Sequence, residues 1–182
     1  LWSPEDPVLY EVSISVEEDT STDRVGFRTV RRAGGQILLN GKPVFLRGIS
    51  MHEETLLGAG VATDRADAEA SFALAKQLGA NFVRLAHYPH NEHTVRLADE
   101  LGLMLWSEIP VYWAIDWRNE DTRKLANNML SEMVQRDLNR AKVQTADGPI
   151  CLSAGTPVAT PGGAVPVETL RPGDLVLTQD NG

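Results

Sequence analysis

Three clusters of reactive side chains punctuate the chain. The first is Ser50-Met51-His52-Glu53-Glu54. The second is Ala86-His87-Tyr88-Pro89-His90, with Arg84 just upstream. The third is Ser107-Glu108-Ile109-Pro110, followed by Tyr112, Trp113, Asp116 and Trp117. Aromatic rings stack on the apolar face of a pyranose, while His, Arg and carboxylates hydrogen-bond its hydroxyls. A rim built from these types suits a sugar. His52 reads as a ligand or as an ordinary loop histidine, and His87 projects from a strand end. Arg84 sits inside a short apolar stretch, where a charge must be paired. It is either half of a structural ion pair or the organiser of a substrate site. Glu108 fits better as its partner than as a catalytic carboxylate. Trp113 and Trp117 read as sugar platforms or as a cover of the surface. His87 and His90 are three residues apart in a Pro-containing loop with no carboxylate at ligand spacing, so no metal is expected. Cys151, the single cysteine, is a candidate nucleophile or an inert thiol.

Each cluster follows a short apolar segment. Strands are expected at 45–49, 81–85 and 103–106. Between them lie amphipathic helices: one capped by Thr63 and running to Leu78 with Phe72, Ala75 and Leu78 inward, one capped by Asn91 with Val95, Ala98 and Leu101 inward. Gly79 and Gly102 stop them. A third helix, about 121–140, carries Leu125, Met129 and Met133 at spacing four, read as core. Strands alternating with helices predict an α/β fold with a parallel sheet, here three βα units of the eight that close a (β/α)₈ barrel. In such a barrel function gathers at the C-terminal strand ends, where the three clusters fall.

Upstream, residues 8–16 alternate with period two, as a half-buried strand does. A polar turn is expected at 19–23 and a second strand at 25–30 with Phe27 inward. The pair reads as the last hairpin of a β-sandwich. Gly34-Gly35 reads as a linker, and 36–44 as a hairpin about Asn40-Gly41. Beyond Ala141 the composition shifts to Gly, Pro, Thr and Val. Short strands are expected at 156–160, 165–170 and 175–178. These shifts divide the chain at 1–33, 34–141, a linker 142–149, and 150–182.

The 182 residues carry a formal charge of −8 and are 42% hydrophobic, enough for a core. An acidic chain argues against nucleic acid as partner. No apolar run approaches the roughly 20 residues that span a bilayer, so no membrane partner is expected. No signal peptide is visible, which favours the cytoplasm slightly, although the chain opens on Leu1 rather than Met.

Leu1-Trp2-Ser3-Pro4, Leu9-Tyr10, Gly26-Phe27-Arg28, Leu39-Asn40-Gly41-Lys42-Pro43 and Leu46-Arg47-Gly48 resemble glycoside hydrolase family 2, the β-galactosidase and β-glucuronidase group. Asn81-Phe82-Val83-Arg84, His87-Tyr88-Pro89, Asp99-Glu100-Leu101-Gly102 and Glu108-Ile109-Pro110-Val111-Tyr112-Trp113 extend the match over about 1–141. The last stretch looks more like the β-glucuronidase side. The resemblance implies an immunoglobulin-like sandwich leading into a TIM barrel, and hydrolysis of terminal β-glycosides with retention. That chemistry takes two carboxyl groups about 5 Å apart. In the family the acid/base Glu follows an Asn at the end of strand four. Here Lys142-Val143-Gln144-Thr145 stands near that place, so the chain is expected to be a fragment without the catalytic pair. His52, Glu53, Arg84 and His87 fall at sugar-subsite positions, and Tyr112 and Trp113 beside them. Some relatives bind Mg²⁺ through a Glu and a His shortly after strand three. Tyr112 stands in that neighbourhood with no matching His, so neither metal nor other cofactor is expected. The resemblance implies a β-glycoside substrate and admits a homo-oligomeric parent enzyme.

Cys151-Leu152-Ser153-Ala154-Gly155-Thr156-Pro157, Pro166-Val167-Glu168-Thr169-Leu170 and Pro172-Gly173-Asp174-Leu175-Val176-Leu177-Thr178 resemble the opening of a Hint domain, the fold of hedgehog autoprocessing domains and inteins. That resemblance implies attack of the Cys151 thiol on the carbonyl of Ile150. Two alternatives therefore stand beside glycoside hydrolysis: a self-processing module with the upstream part as cargo, and a non-catalytic carbohydrate-binding fragment.

Overall fold

The structure is a computed structural model. It describes residues 1–56 and 60–140, together with the backbone of four short strands between 144 and 166. The chain divides into two compact units, 1–143 and 144–182.

The first unit opens with an antiparallel hairpin, β1 (Tyr10–Val16) and β2 (Asp19–Val25), registered with Tyr10 opposite Val25. The segment 19–23 is thus a strand, not the expected turn, and the second strand ends at Val25 instead of starting there. The turn is only Glu17-Glu18, with Glu17 at φ 54°. Polar composition suggests a loop, yet the hydroxyls pair across the hairpin, Ser13 with Thr22 at 3.1 Å and Ser15 with Thr20 at 2.9 Å. Of the apolar positions of β1 only Val12 is half-buried: Tyr10, Ile14 and Val16 are exposed, as is Phe27. No second layer covers them among the described residues. Phe27 packs beside Tyr10, ring centroids 5.5 Å apart.

A three-stranded antiparallel meander follows: β3 (Val30–Ala33), β4 (Gln36–Leu39) and β5 (Lys42–Val44). Gly34-Gly35 is its first turn and not a linker. Both glycines take positive φ, 54° and 82°, as a two-residue hairpin turn requires. Asn40-Gly41 turns the chain the same way, at 51° and 80°.

The parallel sheet is β6 (Gly48–Met51), β7 (Phe82–Leu85) and β8 (Met104–Ser107), in that order. The strand expected at 45–49 begins three residues later, because Asn81 holds the incoming chain. Its buried Oδ1 accepts from the Arg47 N–H at 2.8 Å and its Nδ2 donates to Phe45 O at 3.0 Å. Pairing starts at Gly48 opposite Phe82.

Helix α1 (Arg65–Gln77) is capped by Asp64, whose carboxylate accepts from the Asp67 amide, and not by Thr63. Phe72 and Ala75 are buried as expected, but Leu78, the C-cap residue beyond the last turn, is exposed. Helix α2 (Glu92–Leu101) starts at its Asn91 cap and stops at left-handed Gly102. Helix α3 (Glu120–Arg136) buries Met133, half-buries Met129 and leaves Leu125 exposed, so the expected stripe is covered only in part. Phe72, Ala75, Val83, Leu85, Val95, Leu97, Leu103 and Leu105 form the main core between sheet and helices. Trp2, Leu39 and Met104 form a second. The fully buried Trp2 donates its indole N–H to Asp99 O at 2.7 Å.

The second unit shows two short antiparallel pairs, β9 (Gln144–Thr145) with β10 (Gly148–Pro149) and β11 (Pro157–Thr160) with β12 (Gly163–Pro166). β12 begins two residues before the strand expected there. Cys151, 167–170 and the strand expected at 175–178 lie outside the described residues.

Candidate active site

The parallel register brings the three clusters to one edge of the sheet. Arg84 on β7 stands opposite Ser50 of β6 and Trp106 of β8. Its guanidinium lies 5.8 Å from the Trp106 ring. Glu108 follows β8 directly. Arg84 Nε donates to Glu108 Oε1 at 2.5 Å and Nη2 to Oε2 at 3.1 Å, a two-pronged pair. The structure therefore gives Arg84 its partner and gives Glu108 the ion-pair role.

His87 joins them. Its Nδ1 lies 3.0 Å from Glu108 Oε2 and 3.3 Å from Arg84 Nη2. A carboxylate oxygen accepts only, so Nδ1 carries the proton and donates to Glu108. That tautomer leaves Nε2 as an acceptor for a ligand hydroxyl. The His52 ring meets the His87 ring edge-on at 5.3 Å, and the Tyr112 ring lies 5.3 Å from His87 on the other contact. His52, Arg84, His87 and Tyr112 thus form one constellation.

Glu53 is turned differently. Its Oε1 accepts from the Asn91 amide at the start of α2, and its own N–H donates to Tyr88 Oη at 3.3 Å. Trp113 is not brought to the cluster. It is 94% exposed, at φ 65°. Trp117 is also exposed. The sequence places Tyr88 and His90 in the second cluster but gives neither a sugar-binding role. Tyr88 was signalled by its place beside His87, with its ring 6.3 Å from His52. His90 is buried, and Nε2 donates to Ala86 O at 3.0 Å. Burial pushes its pKa below 6.5, against the pull of the Ala86 carbonyl and the Glu53 charge. Among the described residues, no group of three or more His, Cys, Asp or Glu could hold a metal ion.

Chemically, the constellation presents oriented donors and acceptors beside an aromatic ring at the C-terminal strand ends. The family model for the TIM barrel domain of glycosyl hydrolases family 2 matches residues 30–146, and the model described as glycosyl hydrolases family 2 matches 1–28. The chain belongs to glycoside hydrolase family 2. A Hint domain model matches 150–182. This glycoside hydrolase family 2 chain is 38% identical over 150 residues to a putative beta-glucuronidase of Formosa agariphila, covering 79% of the chain and 18% of that protein. It is 35% identical over 144 residues to a beta-galactosidase of Thermoanaerobacter pseudethanolicus, covering 76% and 19%. The chain thus spans less than a fifth of either relative's length. Among solved structures it is similar to a GH2 beta-galacturonidase from Eisenbergiella tayi bound to galacturonate, with 34% identity, a TM-score of 0.72, and 78% and 26% of the two chains covered. A b-glucuronidase from Ruminococcus gnavus in complex with D-glucuronic acid gives 30%, 0.71, 80% and 26%.

Proposed function

We propose that residues 1–141 carry the sugar-recognising part of a retaining β-glycosidase acting on β-glucuronides or β-galactosides. The observation that carries this reading is the Arg84–Glu108–His87 cluster, with His52 and Tyr112 against it, at the C-terminal ends of barrel strands. The uronate-bound solved relatives support the sugar class. Retaining hydrolysis needs two carboxyls about 5 Å apart, one a nucleophile and one an acid/base. Glu108 and Glu53 are both engaged by protein donors, which argues against either in those roles. In this reading the pair comes from barrel strands outside residues 1–141. Strand β8 stands at the edge of the three-stranded sheet and pairs with β7 alone among the described residues, as expected of a strand with a further neighbour. The hairpin β1–β2 is read as the end of an immunoglobulin-like sandwich.

The test is a titration of the 182-residue chain with D-glucuronate and with D-galactose, followed by NMR. Signals of His52, Arg84, His87 and Tyr112 are expected to move, and Arg84→Ala and His87→Ala to abolish the response. No hydrolysis of p-nitrophenyl β-D-glucuronide is expected. Silence of the Arg84 and His87 signals with both sugars would end the reading; turnover would end its assignment of the catalytic pair.

The Hint match favours a second reading for 150–182. The Cys151 thiolate adds to the Ile150 carbonyl and the amide nitrogen leaves as the Cys151 amine, giving a thioester. An added thiol then releases residues 1–150. Intact-mass analysis of the chain with thiol, beside Cys151→Ala, decides it: cleavage confined to the parent chain supports the reading, and identical masses reject it.

A further inference from the structure

Glu53 follows directly on His52 and belongs by sequence to the sugar cluster, yet three of its four polar atoms bond within the protein. The backbone N–H donates to Tyr88 Oη at 3.3 Å, the backbone carbonyl accepts from the Ala62 N–H at 3.0 Å, and carboxylate Oε1 accepts from the Asn91 N–H. These contacts join three pieces of chain. Ala62 precedes α1, Tyr88 lies in the loop after β7, and Asn91 caps α2. The side chain is half-buried, whereas its neighbour His52 is exposed. The side chain also sits at the N-terminal end of α2, where the helix dipole favours a carboxylate as neighbour.

Two loops are fastened by these bonds, and each carries one ring of the constellation. His52 leaves β6 immediately before Glu53, and His87 leaves β7 immediately before Tyr88. The rings meet edge-on at 5.3 Å, and Tyr88 backs His52 at 6.3 Å. The geometry points to Glu53 as a positioning residue. It ties the loop after β6 to the start of α2, and so sets His52 against His87, without contacting the sugar. This inference rests on the reading of His52 and His87 as sugar-binding residues.

The test uses the full 182-residue chain as Glu53→Ala and Glu53→Gln. Gln keeps a carbonyl oxygen for the Asn91 amide, whereas Ala removes the acceptor. Before any sugar is added, Glu53→Ala is expected to shift the Asn91 amide proton upfield and to move the imidazole Cε1–H signals of both His52 and His87. Glu53→Gln is expected to restore all three. In the parent chain the Glu53 carboxyl ¹³C signal is expected to stay still during a D-glucuronate titration that moves the two histidines. Glu53→Ala with unmoved histidines overturns the inference, as does a carboxyl signal that follows the sugar. If Glu53→Ala does not fold, Glu53→Gln and the carboxyl signal still decide it: disturbed histidines in the Gln variant, or a carboxyl signal that follows the sugar, overturn it. Histidines that ignore sugar overturn the binding reading instead, and the sugar-free shifts still decide the role of Glu53.

Discussion

Arg84 Nε on β7 and Glu108 Oε1, just past the end of β8, lie 2.5 Å apart, and the second carboxylate oxygen is shared between Arg84 Nη2 and His87 Nδ1. One carboxylate thus fixes both the guanidinium plane and the imidazole tautomer. The pair is partly exposed, with Arg84 at 37% and Glu108 at 14%, so its worth sits low in the range for charged hydrogen bonds. A double-mutant cycle of Arg84→Ala and Glu108→Ala in urea is expected to give a coupling of about 1 kcal/mol. Additivity within roughly 0.3 kcal/mol would show that the contact contributes nothing.

Arg84→Lys keeps the charge and loses the fork. An ammonium cannot hold both Glu108 oxygens in one plane. The expected result is a folded chain whose His87 signals move and whose response to D-glucuronate weakens. An unchanged response would mean that charge alone suffices there.

Gly102 ends α2 at φ 70°, and a Cβ there would stand 2.5 Å from Pro4 O and 3.0 Å from Pro4 C. Gly79 ends α1 at φ 75° with nothing within 4 Å. Both Ala variants meet the left-handed penalty of about 1–2 kcal/mol. Only Gly102→Ala also drives a methyl into backbone, so it is expected to cost more by at least about 1 kcal/mol. Equal midpoints in urea would mean that the chain near Pro4 yields freely.

How far the sequence could be read follows from which interactions leave a mark in it. Asn81 to Leu85, the Asn91 cap and the Gly102 stop are legible because apolar alternation and helix-end chemistry are local. The pairing of Arg84 with Glu108 is legible too, since a cation in an apolar strand demands a counter-charge. Strand β2 is not, because Asp-Thr-Ser-Thr-Asp has the composition of a loop and owes its extension to hydroxyl pairs across the hairpin. Nor is the engagement of Glu53, whose acceptor meets a backbone amide 38 residues away that no side chain announces. The exposure of Ile14 and Phe27 depends on what covers the hairpin, and no pattern within residues 8–30 reveals that.

Asp23 on β2 accepts from Arg140 Nη2 at 2.5 Å and from Arg96 on α2, clasping the hairpin to the barrel segment. Burial would raise its pKa, but the Arg140 hydrogen bond, the Arg24 amide and the charges of Arg140 and Arg96 outweigh it and hold the carboxyl below 3.8. A depressed folded pKa means stability that is complete above the unfolded value and lost as pH falls through the folded one. Acid unfolding of the parent chain is therefore expected to steepen below about pH 3.8, and Asp23→Asn to flatten that limb while lowering stability at pH 7 by about 1–2 kcal/mol. Parallel acid limbs would place the lost charge interaction elsewhere.

His90 predicts a second window. Burial depresses its pKa below 6.5, and the His52 and Arg136 charges add to that, while the Ala86 carbonyl and Glu53 oppose it. The folded imidazole is neutral where the unfolded one takes up a proton, so unfolding binds a proton as pH drops below 6.5. Stability is then full above about 6.5 and declines as pH falls toward the lower folded value. Thermal unfolding of the parent chain at pH 8, 7, 6 and 5.5 is expected to be level across the first two and to fall across the last two. His90→Gln keeps an N–H for Ala86 O but cannot protonate, so its melting temperature is expected to stay level over the whole range. A decline of the same slope in the Gln variant would assign the proton uptake to another group and leave His90 as a packing residue beneath the site.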